Sequence, residues 1–166
     1  TVSNTPYRLH KSYSHEGGII SPLLIHWPSM IQGSHRIDSP SHVIDILPTL
    51  MGASGAYYPK MYNENEIPEY PGKNLLELIL PQEYETGNNG MEYERRTLFW
   101  EHIGNRAVRQ GDWKLVAKRG EDWELYKIKS DPTEAVNLAK NYPEKVEQMS
   151  YAWLEWAKEN YVDHGE

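Results

Sequence analysis

Residues 10–29 bring together a lysine, three histidines, a glutamate and two adjacent glycines around an apolar run. A lysine in a tightly shaped loop can act as a fixed point charge aimed at an anion, although most lysines are solvated surface groups. Gly17 and Gly18 permit positive φ and a close approach of another chain segment or ligand, which favours such a loop. Lys11 is therefore a candidate for contact with an anion, and an ordinary surface lysine is the alternative.

The residue types of His10, His15 and Glu16 bind metal ions in many proteins, but their spacing does not suit a metal site. The two histidines are five positions apart, which is not the i, i+4 spacing of a zinc-binding helix, and the adjacent glycines argue against a helix. We expect no metal site from these residues alone.

Two further pairs of polar residues could carry chemistry. His42 and Asp45 lie about one helical turn apart, where a helix cap and a surface pair are the ordinary interpretation. Glu101 and His102 are neighbours on a predicted strand and point to opposite faces, so they cannot act as a dyad on one substrate. One of those two could still line a cleft.

The composition of the 166 residues indicates an aromatic-rich globular protein: 39% are hydrophobic, and there are six Trp and twelve Tyr. A formal net charge of −7 with no basic stripe makes nucleic acid an unsuitable partner. No apolar run reaches the roughly 20 residues that a membrane-spanning helix needs. Because the sequence has no cysteine, it holds no disulfide, Cys-based zinc site or thiol nucleophile.

The first third of the chain resembles the end of a larger α/β sheet. The apolar run 22–27 predicts a strand buried on both faces. Residues 41–52 predict a helix with Ser41 as its N-cap, Gly52 as its stop and Pro48 as a kink or division point. We assign 1–55 to this α/β part and 56–96 to an acidic, Pro- and Gly-rich connection that contains a short helix near 73–80.

Residues 97–166 predict a four-stranded antiparallel meander covered by a terminal helix. Turn signals separate four strand-like runs at 97–102, 105–109, 113–118 and 123–128. The alternation along 113–118 gives one face that needs cover, and a helix opened by Pro143 and running to about Tyr161 supplies it. The apolar stripe of that helix comprises Val146, Met149, Trp153 and Trp156. Three basic residues of the sheet are expected to face solvent or to pair with acids such as Asp112: Arg106, Arg109 and Lys114.

Five blocks of this sequence, taken in order, resemble the carboxy-terminal portion of the type I sulfatases, the arylsulfatase family. These blocks are TPYRLHKSYSHEGGIISPLLIHWPS, SHVIDILPTL, LFWEHIGNRAVRQGDWKLV, WELYKIKSDPTEAVNLA and PEKVEQMSYAWLEWA. The resemblance implies an alkaline-phosphatase-like α/β catalytic domain followed by an α+β domain with a four-stranded antiparallel sheet and a helix. It also implies hydrolysis of a sulfate ester by a formylglycine nucleophile assisted by calcium.

In that family the lysine ahead of E-G-G contacts the sulfate group, and this role carries over to Lys11. His102, in the W-E-H-x-G-N-R block, is expected to line the substrate cleft. The family makes its formylglycine from the Cys or Ser of a C/S-x-P-x-R motif. The segment N-T-P-Y-R has the Pro and Arg of that motif, but its first residue, Asn4, cannot become formylglycine. The calcium ligands of the family also have no match in this sequence. We therefore expect a fragment that is inactive alone, has no metal in this chain, and takes both groups from a missing N-terminal catalytic region.

One position departs from many relatives, because Ile20 stands where they carry an arginine after E-G-G. This weakens any inference about the substrate, which is expected to be a sulfated small molecule or glycan. The resemblance suggests a periplasmic or secreted enzyme with no nucleic-acid or membrane partner. Two alternatives stay open: a catalytically silent module that binds a partner, and a phosphatase or phosphonate hydrolase of the same superfamily.

Overall fold

A computed structural model describes residues 4–80, 93 and 95–162. These residues divide into two compact units. The first unit joins residues 4–23 to residues 95–162, and the second comprises residues 24–80 and 93. The three-part division at 1–55, 56–96 and 97–166 stays a prediction. No described helix is both long enough and apolar enough to cross a membrane.

The first unit contains the predicted antiparallel sheet. Its four strands run in the order in which they occur along the chain, and each pairs with the next: β3 (Thr97–His102), β4 (Asn105–Gln110), β5 (Trp113–Ala117) and β6 (Glu124–Lys127). The turns have the left-handed residues that tight hairpins require, since Gly104, Gly111 and Gly120 all have positive φ. The predicted meander is confirmed, with strand ends within two residues of the expected positions.

One face of this sheet packs against α4 (Pro143–Glu159), the predicted terminal helix. The core between them consists of buried apolar side chains: Val108, Leu115, Leu125, Met149, Trp153 and Ala157. The Trp153 indole N–H donates to the carbonyl of Trp100 at 3.0 Å, which satisfies the polar atom of this buried ring. We call this side of the sheet the apolar face.

The opposite face of the sheet is also covered, which the alternation along β5 did not predict. Lys114 and Val116 are both fully buried. The cover is residues 4–23, because Glu16 of this segment bonds Lys114 and Arg8 bonds Glu124 of β6. The expectation that Lys114 faces solvent is therefore wrong; it pairs with acids, as the alternative predicted, but these are Glu16 and Glu134 and not Asp112. We call this side the polar face.

The one-turn helix α1 (Glu16–Ile19) lies within that covering segment. The second unit has its own short elements: a 3₁₀ turn (Val43–Asp45), α2 (Ile46–Ser54), the hairpin strands β1 (Met61–Tyr62) and β2 (Asn65–Glu66), and α3 (Leu76–Ile79). The short helix predicted near 73–80 is therefore present.

The helix predicted over 41–52 is present with different ends. It is divided into the 3₁₀ turn and α2, and Pro48 lies in the first turn of α2, where a missing N–H breaks no helical bond. His42 caps the 3₁₀ turn instead of Ser41. The helix continues through Gly52 and ends at Gly55, whose φ of 69° gives the left-handed C-cap. Asp45 is fully buried and accepts from the N–H groups of His42 and Lys73, so it is a cap but not a surface residue.

The strand predicted over 22–27 is not formed. These residues pair with no strand among the described residues, and Leu24 is 92% exposed. An apolar run becomes a β-strand only where a neighbouring strand satisfies its backbone groups, and the described residues provide none here.

Candidate active-site loop and its supports

The loop that carries Lys11 folds back on the start of α1. The N–H of Gly17 donates to the carbonyl of Arg8 at 2.9 Å, and that of Tyr13 donates to His10 at 3.1 Å. Leu9 and Ser12 have left-handed φ values of 64° and 86°, which non-glycine residues seldom adopt.

Gly17 and Gly18 of α1 are needed because the loop packs directly against them, and not because their φ is positive. Both are helical, so the expectation that they prevent a helix is wrong. A Cβ on Gly17 would overlap the carbonyl oxygens of Arg8 and Leu9, and one on Gly18 would overlap that of Tyr13. The missing side chains therefore allow the loop to lie directly on the helix backbone.

The loop leaves Lys11 exposed, and His102 is also exposed at the end of β3. The side chain of Asn105 connects the two segments that carry them. Its Nδ2 donates to the carbonyl of Ser12 at 2.8 Å and to that of His102 at 3.1 Å. The residue after Lys11 and the backbone of His102 thus share one amide group.

A buried ionic cluster fixes the start of α1 on the polar face of the sheet. Lys114 Nζ lies 2.7 Å from Glu16 Oε1 and 2.8 Å from Glu134 Oε1. The second carboxylate oxygen of Glu134 accepts the backbone N–H of Glu16 at 2.9 Å. These three side chains are at most 3% exposed, so each ion depends on its partners for solvation.

A second polar cluster lies beside the first and centres on Glu124. Its carboxylate accepts from Arg8 at 2.7 Å, from Tyr126 at 3.0 Å and from His15 Nε2 at 3.0 Å. Burial opposes ionisation of Glu124, but the hydrogen bonds from Arg8, His15 and Tyr126 outweigh it and lower its pKa from 4.5 to about 2. Glu124 is therefore an anion at neutral pH.

The imidazole of His15 is held neutral in this cluster. Burial lowers its pKa, and the hydrogen bond to Glu124 opposes that change without reversing it. Nδ1 of His15 has no hydrogen-bond partner among the described residues, so a proton placed there would be an unsolvated charge. Burial also raises the pKa of the Tyr126 hydroxyl, and its hydrogen bond to Glu124 adds to this shift.

The candidate metal ligands of the loop serve other purposes. Glu16 and His15 are buried in the two polar clusters, and the ring of His10 packs edge-on against Tyr13 with centroids 5.2 Å apart. Across the described ranges 4–80, 93 and 95–162, no three His, Asp or Glu side chains are grouped to hold a metal ion.

The remaining basic residues of the sheet have local partners. The guanidinium of Arg106 lies over the ring of Trp123 at 4.5 Å, and burial lowers its pKa. The Nε of Arg109 donates to the carbonyl of Gly111 at 3.1 Å. Neither contact points to a role in binding a ligand.

Sequence reasoning missed Asn105, Lys114, Glu124 and Glu134 as supports of the loop. One signal was available for Lys114, which interrupts an otherwise apolar run on β5. No local signal could pair Glu16 with Glu134, because 118 positions separate them.

Comparison with known proteins places this arrangement in a family. The model of the family described as "N-sulphoglucosamine sulphohydrolase, C-terminal" matches residues 7–160, which include both clusters and the Lys11 loop. The chain belongs to this sulfatase family. The resemblance stated from the sequence blocks is therefore confirmed.

Individual sulfatases agree with this assignment. An uncharacterised sulfatase of Schizosaccharomyces pombe is 30% identical over 168 residues, which is 97% of this chain and 29% of that protein. A sulfatase of Formosa agariphila is 27% identical over 92% of the chain and 30% of its own length. The chain thus spans about 30% of the length of each of these two sulfatases.

A solved structure shows the same fold. The crystal structure of Ps i-CgsB covers 92% of this sulfatase-family chain with a TM-score of 0.73 and 21% identity, and the match takes 32% of that protein. The predicted α+β architecture, an antiparallel sheet with a packed terminal helix, is confirmed.

Proposed function

We propose that the protein containing this chain hydrolyses sulfate esters and that Lys11 contacts the sulfate group. The observation that carries the proposal is the match of the sulfatase family to residues 7–160, with the loop of Lys11 inside the matched region. The exposed position of Lys11 supports the second half of the proposal, since an ammonium group that binds a substrate must be reachable from solvent.

The role of Lys11 is electrostatic. Its ammonium group would lie against a sulfuryl oxygen and stabilise the negative charge that moves between sulfur and the leaving group. Because the chain has a net charge of −7, attraction of an anionic substrate must come from such local cations and not from the overall field. His102 would line the same cleft from the end of β3.

The formylglycine and calcium implied by the family resemblance do not fit the described residues of this chain. The sequence has no cysteine and no serine in an S-x-P-x-R motif, and the described His, Asp and Glu side chains form no group of three that could hold a metal ion. The proposal therefore assigns both groups to residues outside this chain and gives this chain the contact with substrate. A sulfated small molecule or glycan as substrate and a periplasmic or secreted location stay predictions.

Replacement of Lys11 by methionine in the full-length protein tests the proposal. We expect kcat/KM for a chromogenic aryl sulfate to fall about 100-fold or more, because methionine keeps the length of the side chain and removes its charge. The matched control is Lys140→Met, which removes an exposed lysine next to the turn before α4 and should leave the rate unchanged.

The other outcomes distinguish the alternatives. A near-normal rate for Lys11→Met would return Lys11 to the surface-lysine interpretation. Turnover of an aryl phosphate or phosphonate without turnover of the sulfate would favour the phosphatase or phosphonate hydrolase. No turnover of any of these esters would favour the silent partner-binding module.

A further inference from the structure

Asn105 is placed where a side chain can connect two exposed candidate residues. It is the first residue of β4 and is 9% exposed. Its Nδ2 group donates to two carbonyl oxygens, those of Ser12 and His102, and its Oδ1 accepts the backbone N–H of Arg119 at 3.3 Å. Both amide protons and the carbonyl oxygen of this side chain are thus used.

The carbonyl of Ser12 lies in a stretch of backbone whose unfavourable conformation must be held by outside contacts. Ser12 has a φ of 86°, and Leu9, on the other side of Lys11, has a φ of 64°. Non-glycine residues keep this conformation only where surrounding contacts determine it. Among the described contacts of residues 9–12, the hydrogen bond from Asn105 to Ser12 joins the loop to the sheet at the position nearest Lys11.

The ionic cluster of Lys114 cannot replace this contact. It fixes Glu16, five residues beyond Lys11, and it reaches the sheet through the polar face. Lys11 lies inside the turn from His10 to Tyr13, which precedes Glu16, so the direction of the Lys11 side chain depends on a nearer contact. The hydrogen bond from Asn105 reaches the carbonyl of Ser12, one residue from Lys11. The same Nδ2 group also bonds the carbonyl of His102.

We propose that Asn105 is a positioning residue, which holds the Lys11 loop and the His102 turn at a fixed separation so that both side chains meet one sulfate ester. This inference rests on the proposed function, because it acts through Lys11. Asn105 itself lies beneath the two segments and touches their backbones. A positioning role for Asn105 predicts that a change at Asn105 lowers kcat/KM only while Lys11 is present.

Asn105→Asp in the full-length protein is the principal test. Aspartate has the shape of asparagine, but it presents an oxygen instead of the N–H donors to two carbonyl oxygens, and the loop and the turn should separate. We expect kcat/KM for an aryl sulfate to fall about 10- to 100-fold, since a misplacement of about 1 Å can cost that much. Most of the loss should be in kcat, because the exposed lysine still attracts the anion.

The matched control is Asn137→Asp. The Oδ1 of Asn137 accepts the N–H groups of Leu125 at 3.1 Å and Ala139 at 2.9 Å, and an aspartate keeps both bonds. This variant makes the same chemical change on the same compact unit and should retain the parent rate within about twofold. Asn105→Ser serves where Asn105→Asp does not fold, because a hydroxyl keeps one donor and adds no charge; its loss should be smaller.

A double variant separates positioning from a general structural role. In the Lys11→Met background, Asn105→Asp should change kcat/KM by less than about threefold, because two residues that act through one contact are not additive. If the two losses multiply instead, Asn105 acts only on folding and the inference is overturned. A normal rate for both Asn105 variants overturns it as well.

The same measurements show which proposal fails. If Lys11→Met alone keeps the parent rate, the proposed role of Lys11 fails and the inference fails with it. If Lys11→Met loses activity and Asn105→Asp does not, the proposed function stands and only the positioning role is wrong.

Discussion

The two faces of the four-stranded sheet are closed by different physical means. On the apolar face, α4 covers a cluster of aliphatic and aromatic side chains that includes Leu115, Leu125 and Trp153. On the polar face, residues 4–23 are attached through ions and hydrogen bonds that centre on Lys114 and Glu124. Strand β5 contributes to both, with Leu115 on one side and Lys114 on the other.

This difference determines how each face responds to substitution. Apolar contacts are non-directional, so a change of shape costs roughly the area and volume that are lost. A buried ion that loses its partner leaves another charge without solvation, and the cost does not scale with the atoms removed. The polar face should therefore be the more sensitive to single changes.

The largest expected effect follows from Lys114→Met. The variant keeps the bulk of the side chain and leaves the carboxylates of Glu16 and Glu134 buried without their cation. The free energy of unfolding should fall by about 3 to 5 kcal/mol. Urea denaturation followed by circular dichroism measures it, and Lys118→Met is the control, since Lys118 forms a partly exposed pair with Glu121 and should lose less than about 1 kcal/mol.

A triple variant sharpens this result. Adding Glu16→Gln and Glu134→Gln to Lys114→Met removes the unpaired charges, so part of the lost stability should return. If the triple variant is less stable than Lys114→Met alone, the cost arises from packing, and the contrast between the two faces is wrong.

Acidification should weaken the polar face selectively. The pKa of Glu124 falls from 4.5 to about 2 on folding, so its contribution is complete above pH 4.5 and is lost as the pH falls towards 2. The full shift corresponds to about 3 kcal/mol. His15 acts in the same direction from a higher pH, because its lowered pKa means that the unfolded chain takes up the proton first below about 6.5.

Urea unfolding at a series of pH values measures this dependence. Glu124→Gln should be less stable at neutral pH and lose less stability below pH 4.5 than the parent chain, and His15→Gln should lose less between 6.5 and 4.5. A Trp153→Phe variant provides the comparison from the apolar face, since its stability should follow the pH dependence of the parent chain at a constant offset. Identical slopes for Glu124→Gln and the parent would contradict the assigned role of Glu124.

The smallest of these effects belongs to the apolar face. Trp153→Phe removes the N–H that bonds the Trp100 carbonyl and leaves part of a buried volume empty, which should cost about 2 kcal/mol. Trp156 is only partly buried and stacks on Phe99 with centroids 5.2 Å apart, so Trp156→Phe keeps a ring in place and should cost less than about 1 kcal/mol. Equal losses for the two variants would show that the indole N–H has no part in the difference.

Sequence patterns were sufficient for the apolar face. The meander follows from turn residues at regular spacing, and α4 follows from Pro143 and an apolar stripe, both of which are local signals. The turn around Gly17 and Gly18 was only half predictable: the close approach was expected, but its partner carbonyls of Arg8, Leu9 and Tyr13 and the helical conformation were not.

The polar face could not be predicted, because its partners are distant in sequence and carry no pattern. A lysine on a strand normally faces solvent, and only two carboxylates from elsewhere in the chain keep Lys114 inside. The strand prediction for residues 22–27 was wrong for the opposite reason. Their apolar pattern is a clear local signal, but the described residues provide no neighbouring strand for them to pair with. For the candidate site, Lys11 and His102 came from a family resemblance and stay predictions, whereas the contact from Asn105 became visible only in three dimensions.

The separation of the two halves of the polar face has a consequence for biosynthesis. Glu16 must wait for Glu134, 118 residues later, and at ordinary translation rates this takes on the order of ten seconds. Glu134 precedes α4 in the chain, so every partner in the two polar clusters has been made before the helix that closes the apolar face. During that interval the polar side chains of Arg8, His15 and Glu16 can be solvated by water in place of the partners that they bond in the folded unit.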